Sequence, residues 1–371
     1  MKNLSLYSTI LATLILTSCK NNAENEKVDE KSEVSQTEQT NEVRKIKTEP
    51  LVTKDFTADP SAHIFNDKIY IYPSHDFDSG VPEDDLGNHF NMRDYHVYSM
   101  DSAGGKVTDH GVVLDVDDVK WAARQMWAPD AAEKDGKYYL YFPAKDKDDI
   151  FRIGVAVADK PEGPFEAMPN YIEGSFSIDP AVFEDTDGEY YMYFGGIWGG
   201  QLQRWETGSF ANEDLYPADS LKAIEPRIAK LADDMASFSE EPKRIQILDK
   251  EGNNLLTGDN DRRFFEAAWV HKMDDTYYLS YSTGDTHKIV YATSDNPYGP
   301  FTYQGVILEP VLGWTNHHSI VKFNGKLYLF FHDSSLSKGK TFLRSVKMTE
   351  LTFNDDGSIQ TINAAVQDSI N

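Results

Sequence analysis

Residues Ile178–Gly196 read IDPAVFEDTDGEYYMYFGG. An acid and a proline come first, then a short apolar run, an Asp-Gly turn, and an aromatic strand alternating at period two. The same unit recurs along the chain. Ala58–Asp76 is ADPSAHIFNDKIYIYPSHD and Ala128–Asp146 is APDAAEKDGKYYLYFPAKD. Phe265–Asp285 is FEAAWVHKMDDTYYLSYSTGD and His317–Ser335 is HHSIVKFNGKLYLFFHDSS. Each is a β-hairpin signature, with Asn, Asp or Gly at turn positions that need positive φ. A second element also repeats: GVAVADKPEGPFE at Gly154–Glu166 and IVYATSDNPYGPFTY at Ile289–Tyr303 supply a third strand and a Gly-Pro-Phe turn after the hairpin.

Repeated all-β units of this length point to propeller blades, with the length variation in the loops. Five hairpins predict an all-β, five-bladed β-propeller. A β-sandwich holds as many strands, but it gives no reason for a polar residue at the head of every repeat. In a propeller the inner strands line the central axis, so the heads Asp59, Asp130, Asp179, Glu266 and His317 should converge at one end of it. The segment from Met348, MTELTFNDDGSIQTI, reads as a further hairpin that helps to close the ring.

Composition narrows the partners. The chain carries 36 basic and 61 acidic residues, a formal charge of -25. That excludes the basic footprint needed for nucleic acid and disfavours adhesion of the domain to anionic lipid. Residues 1–18, MKNLSLYSTILATLILTS, have the short basic start and apolar core of a secretory signal. They run into Cys19, the only cysteine, within Leu-Thr-Ser-Cys. This resembles a bacterial lipobox and predicts a lipidated Cys19 anchored to the bacterial envelope. Residues 19–50 are polar and acidic and read as a disordered tether, with the catalytic domain over 51–371.

Several carboxylates in one cavity repel each other, and burial raises their pKa values further. A lone Asp-Pro is an ordinary turn opener, but matching acids in several repeats suggest acid–base chemistry or a cation. There is no Gly-rich phosphate loop, no His-Glu-x-x-His and no Gly-x-Ser-x-Gly. Two carboxyl groups acting across one bond is then the economical reading, the arrangement of glycoside hydrolysis. Trp121, Trp127, Trp198, Trp269 and Trp314 lie near the heads and offer apolar planes for sugar rings, although tryptophan more often serves a core.

The ordered set ADPS, WAPD, IDPAVF, FEAAW and HHSIV resembles glycoside hydrolase family 43, over Leu51 to about Leu351. The resemblance implies a five-bladed propeller that cleaves xylose- and arabinose-containing glycans with inversion. It implies Asp59 as general base, Glu266 as general acid and Asp179 as the acid that tunes the pKa of Glu266. It also implies Arg344 as a sugar-binding arginine, with Trp127, Asp130, Trp198 and His317 as further substrate contacts. Family members use a histidine near a central calcium or water cluster, so His317 or His318 becomes the candidate calcium ligand; no cofactor is required. The expected substrate is an oligosaccharide from plant or algal polysaccharide, cleaved by an exo-acting β-xylosidase. An α-L-arabinofuranosidase of the same fold, or a glycan-binding propeller without catalysis, are the alternatives. The Arg-Asp-Pro motif of related retaining fructan-cleaving propellers is absent. The fourth head departs from the family pattern, being Glu-Ala-Ala where many relatives have Glu-Gly-Pro.

Overall fold

A computed structural model of the chain describes residues 43–364. The signal segment and Cys19 lie outside the described residues. The described chain is almost entirely β, with three short 3-10 turns and no α-helix. No helix in it is long and apolar enough to cross a membrane.

The hairpins form where the turn residues allow. Phe65 pairs with Lys68, Lys134 with Lys137 and Phe323 with Lys326, each across a two-residue loop. Both loop residues have positive φ in all three: Asn66 and Asp67, Asp135 and Gly136, Asn324 and Gly325. This is the twist that joins antiparallel strands without splaying them. The strands fall into five sheets, one per sequence repeat, of four, five, four, seven and three strands in chain order of their first hairpins.

The first strand of each hairpin packs against those of two others. Phe56–Phe65 touches Asp130–Lys134 and His318–Phe323; Ala181–Glu184 touches Asp130–Lys134 and Phe264–Met273; Phe264–Met273 touches His318–Phe323. The contacts close on themselves, which is a propeller arrangement. Apolar side chains pack between neighbouring sheets: Ile69, Ile71 and Tyr98 of the first share a buried cluster with Leu329, Phe330 and Val346 of the last. Such burial, at about 25 cal/mol per Å² of apolar surface, is the main stabilising term in a fold whose described part has no cysteine.

The ring is tied by backbone. Leu51 N–H donates to Val346 O at 2.8 Å and Thr57 N–H to Arg344 O at 2.9 Å, joining the chain start to Ser345–Leu351. Residues 43–50 are among those described, and they pack on the sheets. Arg44–Lys45 pairs in parallel with Ile362–Asn363, and Ile46 packs on the core. Residues 44–46, read in sequence as part of a tether, are thus paired and packed. The hairpin expected from Met348 forms across Asn354–Ser358, with the Gln360 N–H donating to Thr352 O at 2.8 Å. Phe353 bridges Ile359, but Ile362–Asn363 leaves the last sheet to join the fourth beside Leu308.

Candidate active site

Bulges at the heads aim the catalytic candidates inward. Asp59 has φ 48°, Asp179 φ 56° and Ala267, next to Glu266, φ 61°. The strand register shifts between Ala58 and Ser61 and again around Glu266. A bulge with a left-handed residue re-aims a side chain out of the sheet alternation. Aspartate tolerates this region better than most residues, whereas Ala267 carries strain of about 1–2 kcal/mol. Glycine is the natural occupant of such a backbone, in keeping with the Glu-Gly-Pro that the resemblance implies for many relatives at this head.

Asp59, Asp179, Glu266, His317 and Arg344 line one cavity of about 860 Å³. Arg344 is its only buried guanidinium, 3 % exposed. Its Nε and Nη2 donate to Asp76 Oδ2 and Oδ1 at 2.8 Å each, and Asp76 also accepts the Arg344 N–H at 2.9 Å. The fork held this way leaves Nη1 to donate to Asp59 Oδ1 at 2.8 Å. Phe90 lies under the guanidinium, 4.9 Å from its carbon to the ring centre. Flanked by two carboxylates, Arg344 is held above its ordinary pKa in spite of burial.

Burial is the largest influence on the Asp59 carboxyl and raises it, but Arg344, His332, His317 and the Ser74 hydroxyl together outweigh burial, and the net position is below the ordinary carboxylate range. His332 and His317 do not supply lasting positive charge there. Burial pushes His332 to about 3 and His317 to about 4. The Asp59 N–H donates to His332 Nδ1 at 3.0 Å, so that nitrogen is unprotonated. His332 Nε2 is then the protonated nitrogen and donates to Thr315 O at 3.1 Å. Asp59 is thus an ionised carboxylate beside a single fixed cation.

The second pair of acids behaves oppositely. Burial, then the neighbouring carboxylates, push Glu266 and Asp179 well above the ordinary range. Glu266 keeps part of its surface open to the cavity, while its surroundings are dense protein. Two such groups share their titration, and the charge settles where donors favour it. Asp179 Oδ2 accepts the Ala267 N–H at 2.9 Å. That bond weights the charge towards Asp179 and the proton towards Glu266.

The remaining candidates divide. Trp127, Trp198 and Trp314 line the cavity, Trp127 fixed by its indole N–H to Phe90 O at 2.7 Å. Trp121 stacks on Phe142, and Trp269 is buried with its N–H on Ile320 O, so both are packing residues. Asp130 does not reach the cavity. It accepts from Ser61 Oγ and the Val182 N–H and meets His63 Nε2 at 2.7 Å, clamping three sheets together. The register explains the correction: Asp59 and Asp179 precede their prolines, but Asp130 follows Pro129. The residue that corresponds to Asp59 is Ala128, and Ala128 does line the cavity.

Of the two histidine candidates for calcium, His317 lines the cavity and His318 does not, and neither supplies oxygen. Calcium takes about six to eight oxygen ligands. His317 Nδ1 stands 3.8 Å from Asp59 Oδ1 and 3.8 Å from Asp179 Oδ2. His318 lies outside the cavity lining, its Nε2 2.6 Å from Ser280 Oγ. Among the described residues, groups of three or more His, Cys, Asp or Glu donors that converge on one point lie elsewhere, in the first sheet.

Three site residues gave little warning in sequence. Asp76 ends the strand IYPSHD and His332 is the last residue but one of LFFHD, where they read as strand termini; the His-Asp pair shared by the two repeats is the signal available. Gly196 is required by crowding. A Cβ there would lie 2.6 Å from Ile178 Cδ1 and 3.2 Å from Glu266 Cβ.

Comparison with known proteins places the chain in a family. The profile of glycosyl hydrolases family 43 matches residues 48–359. A xylosidase/arabinosidase of Bacteroides ovatus is 59% identical over 320 residues, covering 85% of this chain and 98% of that protein. A β-xylosidase of Xylanibacter ruminicola is 50% identical over 319 residues, covering 85% of this chain and all of that protein. A solved β-xylosidase/α-arabinofuranosidase from a compost metagenome, in complex with xylotriose and described as calcium-free, is 68% identical with a TM-score of 0.85. It covers 87% of this chain and 99% of its own. With an ionised and a protonated carboxyl group facing one cavity, and this match over nearly all of the described chain, the protein belongs to glycoside hydrolase family 43.

Proposed function

We propose that this inverting glycoside hydrolase removes terminal xylose from xylan-derived oligosaccharides, with Asp59 as general base and Glu266 as general acid. One observation carries the reading: a single cavity holds one carboxyl group ionised by Arg344 and another kept protonated by burial and Asp179. Inversion requires this division, because one carboxylate takes a proton from water while the other gives one to the leaving oxygen. The two groups then stand roughly 6.5–9.5 Å apart with the water between them. Asp179 acts through Glu266. Arg344 holds Asp59 and, lining the cavity, offers a donor to a sugar hydroxyl. Trp127, Trp198 and Trp314 supply stacking planes. The chemistry needs no cofactor.

Substrate class rests on the xylosidase and arabinosidase relatives and on the cavity, open on one side and walled by the loop 83–90 and by Trp198–Gly200. Such walls suit a chain end. Release of arabinofuranose is the second reading, since the relatives carry both names. We also read the five sheets as five blades, one for each repeat, and Cys19 as a lipid anchor on the bacterial envelope. Replacing Cys19 with Ala should release the enzyme from the membrane fraction; retention there would reject the anchor.

Proton NMR of an aryl β-xyloside and an aryl α-arabinofuranoside, hydrolysed in parallel, tests the assignment. Faster cleavage of the xyloside, with α-xylose as the first-formed sugar, is expected. First-formed β-xylose would remove Asp59 as the base. Preference for the arabinofuranoside would exchange the two substrate readings.

A further inference from the structure

The strand that carries Asp76 to Arg344 presents a second polar group beside it, away from the cavity. Ser74 pairs with Tyr95 across the strands Lys68–Asp76 and Asp94–Met100, which sets His75 opposite Asp94. Side chains two residues apart share a face, so His96 joins them. His75 Nδ1 lies 2.6 Å from Asp94 Oδ1, and His96 Nε2 lies 3.8 Å from the same oxygen. The two imidazole rings meet edge to face at 4.6 Å between centres. One donor atom from each of the three residues falls within 4.8 Å of the others.

The other nitrogen of His96 faces away from these three donors. The residue is 9 % exposed, and its Nδ1 is buried without a hydrogen-bond partner. That nitrogen faces Asp109 Oδ1 at 3.5 Å, an oxygen already fixed by the Gly111 N–H at 2.7 Å. With Nδ1–H turned to this carboxylate, the Nε2 lone pair points towards Asp94 and His75. Carboxylate behind imidazole is the arrangement that orients a metal-binding histidine.

We propose that His75, Asp94 and His96 bind a divalent first-row transition metal ion, zinc being the best match, with Asp109 orienting His96 from behind. Two imidazoles and a carboxylate suit zinc, whereas calcium and magnesium prefer oxygen alone. At bond lengths of about 2.0–2.2 Å, tetrahedral donors stand roughly 3.3 Å apart. The spacings of 2.6 and 3.8 Å straddle that value, so closure about an ion needs only small side-chain shifts. A second triad, Asp55, His96 and Asp109, also converges. Lys54 Nζ occupies it, paired with Asp109 and 3.4 Å from Asp55, and its charge opposes a cation there. Three ligands leave a fourth position for water, within reach because His75 and Asp94 are only partly buried. The ion would fix the end of the strand that continues into Asp76, and through Arg344 would steady Asp59.

Titration of the metal-free protein with Co²⁺ and then Zn²⁺, together with thermal melting, tests the site. One Co²⁺ per chain should bind with visible d–d absorption, and Zn²⁺ should displace it and raise the melting temperature by several degrees. His75→Ala and the near-isosteric Asp94→Asn should each lose both signals, while His317→Ala should keep them. The proposal is overturned if the wild-type protein takes up no Co²⁺, or if folded Asp94→Asn binds it unchanged. Should His75→Ala fail to fold, Asp94→Asn carries the same decision. Loss of binding in His317→Ala alone would move the ion to the active-site cavity and equally reject the proposal.

Discussion

Replacing Arg344 with Met removes the one cation that keeps Asp59 ionised. Its Nη1 lies 2.8 Å from Asp59 Oδ1. With charge centres roughly 4 Å apart and an effective permittivity near 20, the attraction is about 4 kcal/mol. At about 1.4 kcal/mol per pH unit this is at most roughly three units on the Asp59 pKa. Water in the open cavity screens part of it, so a rise of about one to two units is expected. The sign follows from the role. Asp59 works as a carboxylate, so activity falls as pH drops through its pKa, and raising that pKa moves the acid limb of kcat/KM to higher pH. Stability changes in the same sense: a depressed folded pKa stabilises above the ordinary carboxylate value, and that stability is lost as pH falls through the folded pKa. The variant also leaves Asp76 buried without its fork, and breaking a buried pair costs about 3–5 kcal/mol. Arg344→Lys retains the charge but not the two-pronged grip on Asp76, and should restore most of the acid limb with less of the stability. The assay is a kcat/KM profile against pH for both variants, with circular dichroism to confirm folding. A folded Arg344→Met enzyme whose acid limb stays at the wild-type position would refute the reasoning.

Asp179→Asn removes the charge that helps to keep Glu266 protonated while retaining an oxygen for the Ala267 N–H. The Glu266 pKa should fall and the basic limb of the profile move to lower pH; an unmoved basic limb counts against the coupling. Gly196→Ala forces a methyl group against Ile178 and Glu266. It should cost about 1–3 kcal/mol in denaturant titration and lower kcat more than it raises KM. Asp130→Ala orphans the buried Val182 N–H and leaves Ser61 and His63 only their bond to each other, at about 1–3 kcal/mol for the orphaned group where no water replaces the carboxylate. Melting temperature should drop with KM near wild type, and a selective rise in KM would return Asp130 to the substrate site.

The hairpins were legible because their signals are local. Period-two aromatics and Asn, Asp or Gly turns fix each unit whatever lies around it. The placement of Asp59, Asp179 and Glu266 followed, since a ring of such units brings equal positions to one axis. Asp130 misled because it falls on the other side of its proline, a one-step difference that turns the side chain from the cavity to the neighbouring sheets. Asp76, His332 and Gly196 matter through contacts with residues far away in sequence, such as Arg344 and Glu266, which no local pattern records. The short strand Arg44–Lys45 is held by backbone pairing at a sheet edge, so its polar sequence carried no strand signal of its own.

The division of labour between Asp59 and Glu266 is tested most directly by the leaving-group dependence of Glu266→Gln. Glutamine fills the same space but cannot give up a proton. Turnover of xylobiose, a poor leaving group, should fall by about 10²–10⁴-fold. An aryl xyloside whose phenol departs without protonation should lose far less, because the base and its water are intact. Equal losses on the two substrates, or wild-type turnover of xylobiose, would contradict Glu266 as the proton donor and with it the central claim.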